Sequence, residues 1–366
     1  MIQRAFDAGW AGAVTKTIAL EPAHDVRPRL ARLMAGNRII GLENIELISQ
    51  RSLDSWIRDL EEIKRRYPDH ILFASLMGAV VREEWHSLVQ QVQQTGVDGL
   101  ELNFGCPHGM PEKGMGAAQG QDPVIAGDIT RWVKEVAALP VMVKLTPNVT
   151  DIVQIAQACE QAGADAISAI NTVSVLTGMD LERLEPLPSV NGTTAFGGYS
   201  GPAVKPIGLR CIAQLAQGTK LPLSGIGGVA GWEDAAEYIL AGASTVQVCT
   251  AVMLRGYQIV EKMKNGLSDY LEKKGFGSVV EMRGYVLPKI CAHERLDFGH
   301  KVVASINEAL CTKCGLCYTA CLDGGWQAIE MQSREVYPTV RAEKCDGCSL
   351  CTHVCPVEGC ITLLVL

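Results

Sequence analysis

The sequence predicts an α/β fold: a TIM-type (β/α)8 barrel whose first strand is missing from the chain, followed by a small α+β domain built on cysteines. Three observations predict it. From Gly9 to Gly242, a helical stretch repeatedly ends on glycine and a short apolar run follows. Polar residues stand at the ends of those runs. Eight of the 14 cysteines crowd between Cys311 and Cys355.

The chain opens on a helical stretch, 2–8, ended by Gly9 and followed by the run 11–16. Amphipathic helix 54–66 leads to run 71–77, and helix 81–94 with Gly96 leads to run 99–104. Runs 141–145, 166–170 (after Gly163) and 221–225 follow, then helix 232–240, Gly242 and run 245–249. Each junction glycine stands where a helix C-terminus needs a left-handed residue. The runs are rich in Val, Ile and Leu, as expected of parallel strands buried on both faces. Seven strands, each but the last followed by a helix, imply a parallel sheet. Lys16, Asn103, Lys144 and Asn171 mark strand ends, the mouth where barrel sites are built. A doubly wound open sheet is the competing architecture. A closed barrel has eight strands, so one is expected before the opening helix. The rhythm stops after about 265, and 266–302 reads as a helix and a connection. The expected domains are a barrel over 1–295 and a cysteine domain over 303–366.

Composition narrows the function classes. Hydrophobic residues make up 48% and charged residues 20%, which allows a sizeable core. The net charge of −7 opposes nucleic-acid binding, which relies on clustered Lys and Arg. No apolar run approaches the ~20 residues of a membrane span, and residues 1–6 lack the apolar core of a signal peptide. The sequons at Asn148 and Asn191 are therefore read as chance, and the chain as cytoplasmic. A disulfide framework belongs to short secreted domains, which this is not.

The cysteines form two arrays, Cys311-x2-Cys314-x2-Cys317-x3-Cys321 and Cys345-x2-Cys348-x2-Cys351-x3-Cys355-Pro356. Three closely spaced thiolates hold one cubane, and the fourth reaches the neighbouring one. Cys311, Cys314, Cys317 and Cys355 are thus assigned to one [4Fe–4S] cluster, and Cys321, Cys345, Cys348 and Cys351 to the other. Zinc is the alternative, since CxxC pairs also bind it. The first array has Leu322 where the second has proline. A two-cluster, ferredoxin-like module relays single electrons, so the barrel is expected to hold a flavin that converts them to two-electron chemistry.

The segment 101–110 leaves a strand and enters a Gly-rich loop containing Gly114, Gly116 and Gly120. Cys106 is expected there at the mouth, accessible, with a thiol pKa of ~8.5 suited to proton transfer; a packed loop cysteine is the alternative. Cys159, Cys211, Cys249, Cys291 and Cys360 lack such a context, and their thiols are read as structural. Lys16 and Lys144 end strands, where they would face an anionic cofactor or serve as salt-bridged rim residues. Gly198–Gly201 and Gly225–Gly228 follow the phosphate-cradle logic of late barrel loops. The second is not a dinucleotide fingerprint, because its third glycine would fall at Ala230 and no acidic partner is evident. Nicotinamide, if used, must be handled by another polypeptide.

With these residues in view, the chain resembles the PreA-type catalytic subunits of NAD-dependent dihydropyrimidine dehydrogenases, and the C-terminal half of the long eukaryotic enzymes. The resemblance spans essentially the whole chain. It rests on residues 42–49, 103–110 and 144–148, on Ala169-Ile170-Asn171-Thr172, Gly201 and Gly227-Gly228, and on the double cluster motif. It implies an FMN barrel that reduces uracil and thymine to their 5,6-dihydro forms. Lys16, Thr17, Asn103, Lys144 and Thr172 would contact the flavin ring and ribityl chain. Gly201, Ile226, Gly227, Gly228, Cys249 and Thr250 would surround its phosphate. Asn44, Glu46, Asn103, Phe104, Gly105, Asn171 and Thr172 would form the pyrimidine site, and Cys106 would protonate C5 while hydride reaches C6. The Gly-rich loop would close over substrate. NAD(H) would be handled by an FAD and iron–sulfur partner subunit of the PreT type, in a hetero-oligomer. Family members begin with one further strand, so this chain is expected to be truncated or to start from a misassigned codon.

Three rivals share features. Dihydroorotate dehydrogenases have the barrel and an Asn-x-x-Cys-Pro loop, but an asparagine is expected where His108 stands. tRNA-dihydrouridine synthases share the Asn103–Pro107 pattern but need a basic RNA-binding domain. An inactive, truncated electron carrier is the non-enzyme reading.

Overall fold

The computed structural model describes residues 1–107, 110, 114–324 and 326–366, so His108 lies outside the described residues. The chain divides into two compact units, Met1–Lys289 and Ile290–Leu366.

The first unit is organised by a seven-stranded parallel sheet in sequential order. Its strands are β1 (Gly12–Val14), β2 (Ile71–Leu76), β3 (Gly99–Asn103), β4 (Val141–Leu145), β5 (Ala166–Ala169), β6 (Leu223–Ile226) and β7 (Thr245–Gln247). Sequential parallel pairing with helical returns curls the sheet in the manner of a TIM barrel. All four junction glycines adopt positive φ (98° at Gly9, 81° at Gly96, 96° at Gly163, 110° at Gly242), the conformation that turns each helix into the next strand.

The helices start where side chains satisfy their free amides. Ser52 accepts from Ser55 N–H before Leu53–Arg66. Asp122 caps Pro123–Val136, and Asp151 caps Ile152–Gln161. Their buried faces repeat every three or four residues, as in Trp56, Leu60 and Ile63. They pack on one face of the sheet, formed by Leu72, Ala74, Leu76, Leu100, Leu102, Val141, Val143, Leu145 and Ile167.

The opposite face departs from the sequence expectation. It is buried but polar, carrying Ser75, Glu101, Ser168 and Ser224, with Asn103 and Lys144 toward the strand ends. Asn103 pairs in register with Lys144, and Lys144 with Ser168. Apolar burial therefore lies mainly on one side of the sheet, while the other side, apart from Met142 opposite Glu101, is largely polar and hydrogen-bonded.

A second departure is an antiparallel sheet between the βα units. Strands Leu30–Ala35, Arg38–Asn44, Gly197–Ser200 and Val173–Val175 pair in that order, beside a hairpin of Gly178–Asp180 and Glu185–Leu187. β1 and β5 are thus followed by β excursions before their helices, Leu53–Arg66 and Lys205–Gly218. Such three- to seven-residue strands lack the apolar run by which the larger sheet announces itself.

In the second unit, Val302–Ile306 pairs antiparallel with Ile361–Val365, bringing the module's two ends together. Helices Leu316–Asp323 and Leu350–Val354 each begin inside a cysteine array. Half of its buried core is sulfur: Ala304, Ile329 and Ile361 pack with Cys317, Cys351 and Cys360.

Candidate active site and cysteine cavities

At the strand ends of the parallel sheet, a chain of polar side chains is tied together. Thr17 shares a 3.0 Å hydrogen bond with Ser75 and accepts one from Asn103 Nδ2 at 2.7 Å. Asn103 Oδ1 accepts from Asn171 Nδ2 at 2.7 Å and from Gly105 N–H at 3.1 Å. Asn171 Oδ1 in turn accepts from Thr172 N–H at 2.8 Å. Gly105 must be glycine, since a Cβ there would stand 2.4 Å from the Asn171 side chain. Asn44 joins from the antiparallel sheet, its Nδ2 donating to Gly198 O at 3.5 Å.

Charges surround this chain in compensated pairs. Lys16 pairs with Glu46, which also accepts from Arg29 Nε at 3.2 Å, and Asp25 lies 3.8 Å from the Lys16 ammonium. Lys144 faces Glu101 Oε1 at 3.5 Å. Glu101 is fully buried (0% exposed), yet only its other oxygen is hydrogen-bonded, to Ser168 at 3.0 Å. Cys249 touches solvent between these groups. Crowding by surrounding atoms pushes its thiol up, Lys144 pulls it down and Glu46 pushes it up. Lys144 and Glu46 therefore lie close enough to Cys249 for their charges to act on it.

The late loops converge nearby. A Cβ on Gly201 (φ 99°) would meet Gly41 Cα at 3.1 Å and Thr250 at 3.6 Å; one on Gly228 (φ 74°) would meet Lys205 N at 2.7 Å and Gly201 O at 2.9 Å. Thr250 donates to or accepts from Ser200 at 2.9 Å. Gly227 O accepts from Tyr238 OH at 2.7 Å, which pins the peptide beside Ile226. The result is a wall of bare backbone, which fits the close approach of a phosphate. Lys205 is spent on Asp234 and Glu237 rather than on this wall.

Two sequence expectations are corrected. Cys106 is not accessible: it is 8% exposed, packed with Ala19, Ile48, Met77 and Met110. Ala117 N–H donates to Cys106 O at 3.0 Å. The Phe104 side chain, expected at the mouth, turns into the core instead. Its ring is fully buried in the main core, edge-on to Trp85 at 6.3 Å. Side chains alternate across the sheet and the loop it enters, so Asn103 and Phe104 point opposite ways. Glu101, Ser168 and Tyr238 escaped the sequence reading. Glu101 had a signal, since it lies two residues before Asn103 and so on the same strand face.

In the second unit, Cys321, Cys345, Cys348 and Cys351 line a cavity of about 220 Å³ with Trp326, Ile329 and Leu350. Cys311, Cys314, Cys317 and Cys355 line a second, narrower one. Burial, and then the neighbouring Cys311, Cys314 and Cys351, push the Cys317 thiol up to about 11. Backbone amides donate to sulfur at both sites, Lys313 N–H to Cys311 at 3.4 Å and Ala328 N–H to Cys321 at 3.2 Å. Four sulfurs around a volume, with amide donors, suit an inorganic cluster.

Comparison with known proteins agrees in both units. The dihydroorotate dehydrogenase family model matches residues 2–271, and the 4Fe-4S dicluster domain model matches residues 304–363. The chain is 44% identical to the NAD-dependent dihydropyrimidine dehydrogenase subunit PreA of Escherichia coli K12, over 99% of this chain and 89% of that one. It is 43% identical to the chloroplastic dihydropyrimidine dehydrogenase (NADP(+)) of Arabidopsis thaliana, over 81% of this chain and 73% of that one. Identity to the catalytic subunit of dihydroorotate dehydrogenase B (NAD(+)) of Pyrococcus abyssi is 39%, covering 78% and 90%.

Proposed function

The chain belongs to the dihydroorotate dehydrogenase family, in the branch of the PreA-type dihydropyrimidine dehydrogenase subunits, and from that premise we propose how its residues act. It is a dihydropyrimidine dehydrogenase, an oxidoreductase that acts on pyrimidines and carries an iron–sulfur domain. The reaction is the reversible reduction of the 5,6-double bond of uracil or thymine. FMN at the mouth, when bound, supplies hydride to C6, fed with single electrons by two [4Fe–4S] clusters. The electrons come from NADH through an FAD and iron–sulfur partner subunit of the PreT type, in a cytoplasmic hetero-oligomer.

The carrying observation is the Thr17–Asn103–Asn171–Thr172 chain at the strand end that leads into Cys106. An amide offers one donor edge and one acceptor edge, as a pyrimidinedione does. Asn103 and Asn171 hold each other's orientation, and with Asn44 and Thr172 they read the ring. Glu46, oriented by Lys16 and Arg29, accepts from a ring N–H. Lys16, Thr17, Asn103, Lys144 and Thr172 would hold the flavin ring and ribityl chain; Gly201, Ile226, Gly227, Gly228, Cys249 and Thr250 would hold its phosphate end. Cys106 Sγ carries the proton for C5. Its apolar walls keep that proton from exchanging with water. The loop closure that the resemblance implies falls partly on residues outside those described.

The test is oxidation of dihydrouracil by the FMN- and iron-loaded protein with an artificial electron acceptor, with dihydroorotate as competitor. Turnover of dihydrouracil alone is expected. A flavin-loaded protein that oxidises dihydroorotate, or neither compound, sinks the pyrimidine assignment.

A further inference from the structure

Cys360 follows the second cysteine array, and its spacing gives it no place among eight cluster ligands. The structure puts it among them. It lines the cavity of Cys311, Cys314, Cys317 and Cys355, between Ile306 and Ile361, and is 2% exposed. It shares that lining with the Cys355 and Cys311 sulfurs, and its Sγ is 3.7 Å from Asn307 O. The backbone holds it there: Cys360 N–H donates to Val357 O at 3.2 Å, and Asn307 N–H donates to Cys360 O at 2.8 Å. Among the described residues, the cavity of Cys321, Cys345, Cys348 and Cys351 has no fifth cysteine.

We propose that Cys360 is a positioning thiol of the first cluster, its S–H donating to the ligand sulfurs of Cys355 and Cys311 and raising that cluster's reduction potential. The inference rests on the two-cluster reading given above. The Cys360 proton has two destinations, the neutral Asn307 carbonyl and the ligand sulfurs. Once those sulfurs are metal-bound thiolates they carry charge, and charge-assisted hydrogen bonds are roughly twice as strong as neutral ones. Reduction adds negative charge to the cluster and its thiolates, so a donor to those sulfurs stabilises the reduced state. Backbone amides donate to sulfur at both sites, Lys313 among them at the first and Ala328 at the second. A fifth cysteine is what the first cavity has and the second, among the described residues, lacks.

The test is a potentiometric titration of the full-length, anaerobically prepared protein, followed by electron paramagnetic resonance, with iron content measured alongside. In Cys360→Ala, one cluster's midpoint should fall by about tenfold in its reduction equilibrium, ~59 mV for one electron. The other cluster's midpoint should stay put, which also certifies the fold. Cys360→Ser keeps a donor and should recover most of the shift. Two unmoved midpoints in Cys360→Ala would overturn the proposal. So would loss of about half the iron, because Cys360 would then be a ligand rather than a donor. A wild-type protein without two cubane signals would overturn the cluster reading itself, and this inference with it.

Discussion

The mouth of the parallel sheet and the cysteine module satisfy their polar groups in opposite ways. At the mouth, side chains complete one another: Asn103 joins Thr17, Gly105 and Asn171, and Lys16 pairs with Glu46. That framework stands on a core of Leu, Ile and Val beneath the sheet. In the module, the sulfurs line two cavities, and half of the small core is cysteine. The difference teaches which unit owes its fold to its cofactor. A preformed site binds a ligand; a site made of thiols is folded by what it binds, because metal affinity becomes folding free energy.

Stripping each cofactor separately breaks or sharpens that contrast most strongly. Chelating iron under reducing conditions is expected to abolish amide-exchange protection in Ile290–Leu366 while Met1–Lys289 keeps its own. Removing flavin should leave both units protected. Protection of the module after complete iron loss would mean that its small core suffices, and the contrast would fail.

Within the mouth, the next largest effect belongs to Cys106. Cys106→Ser is expected to lower dihydrouracil turnover by roughly 10²–10⁴-fold, the usual range for a positioned acid–base group, with flavin absorbance unchanged. Asn103→Ala comes below it. It strands Gly105 N–H and the Asn171 amide, at about 1–3 kcal/mol for each group left unpaired. A KM for dihydrouracil raised about tenfold or more, at unchanged iron content, is the expected reading.

These two residues also show how far the sequence reaches. Glycine junctions, strand runs and cysteine spacing report on backbone and on metal ligation, which are local in sequence. The parallel sheet and the two sulfur sets were legible for that reason. The hairpin 30–44 and the excursion 173–200 were not, because their pairing partners are up to 158 residues away (Leu42 with Ser200) and carry no apolar run. Burial of Cys106 was equally hidden. It follows from Ala19, Ile48 and Met77, supplied by three separate segments. The burial of the Phe104 ring was hidden too, because adjacency to Asn103 in sequence is opposition in space.

Tyr238 separates shaping from contact at the phosphate wall. Its hydroxyl reaches Gly227 O across Gly208, where a Cβ would lie 1.9 Å away, so helix Lys205–Gly218 leaves room for the bond. Tyr238→Phe removes about 1 kcal/mol of hydrogen bonding and is expected to weaken FMN affinity about fivefold. Flavin-release titration measures this, and an unchanged affinity would show that the Gly227-Gly228 turn needs no such support.

The smallest effect tests whether the barrel core is as dry as its packing implies. Cys159 lies on helix Ile152–Gln161, fully buried, and burial pushes its thiol up to about 12, with the neighbouring Thr130 opposing it. A raised folded-state pKa favours the neutral thiol. Its stabilising contribution is therefore complete below the unfolded value of ~8.5 and is lost as pH climbs toward 12. At pH 9 the loss is only about 0.8 kcal/mol, from the thiolate fraction of the unfolded chain. Cys159→Ala has a constant cavity penalty but no such titration. The gap between wild type and variant in urea midpoint should therefore narrow from pH 7 to pH 9, in the barrel's transition and not in the module's. A gap that stays constant would mean that Cys159 ionises in the folded barrel as readily as in the unfolded chain, and that water reaches the helix–sheet interface.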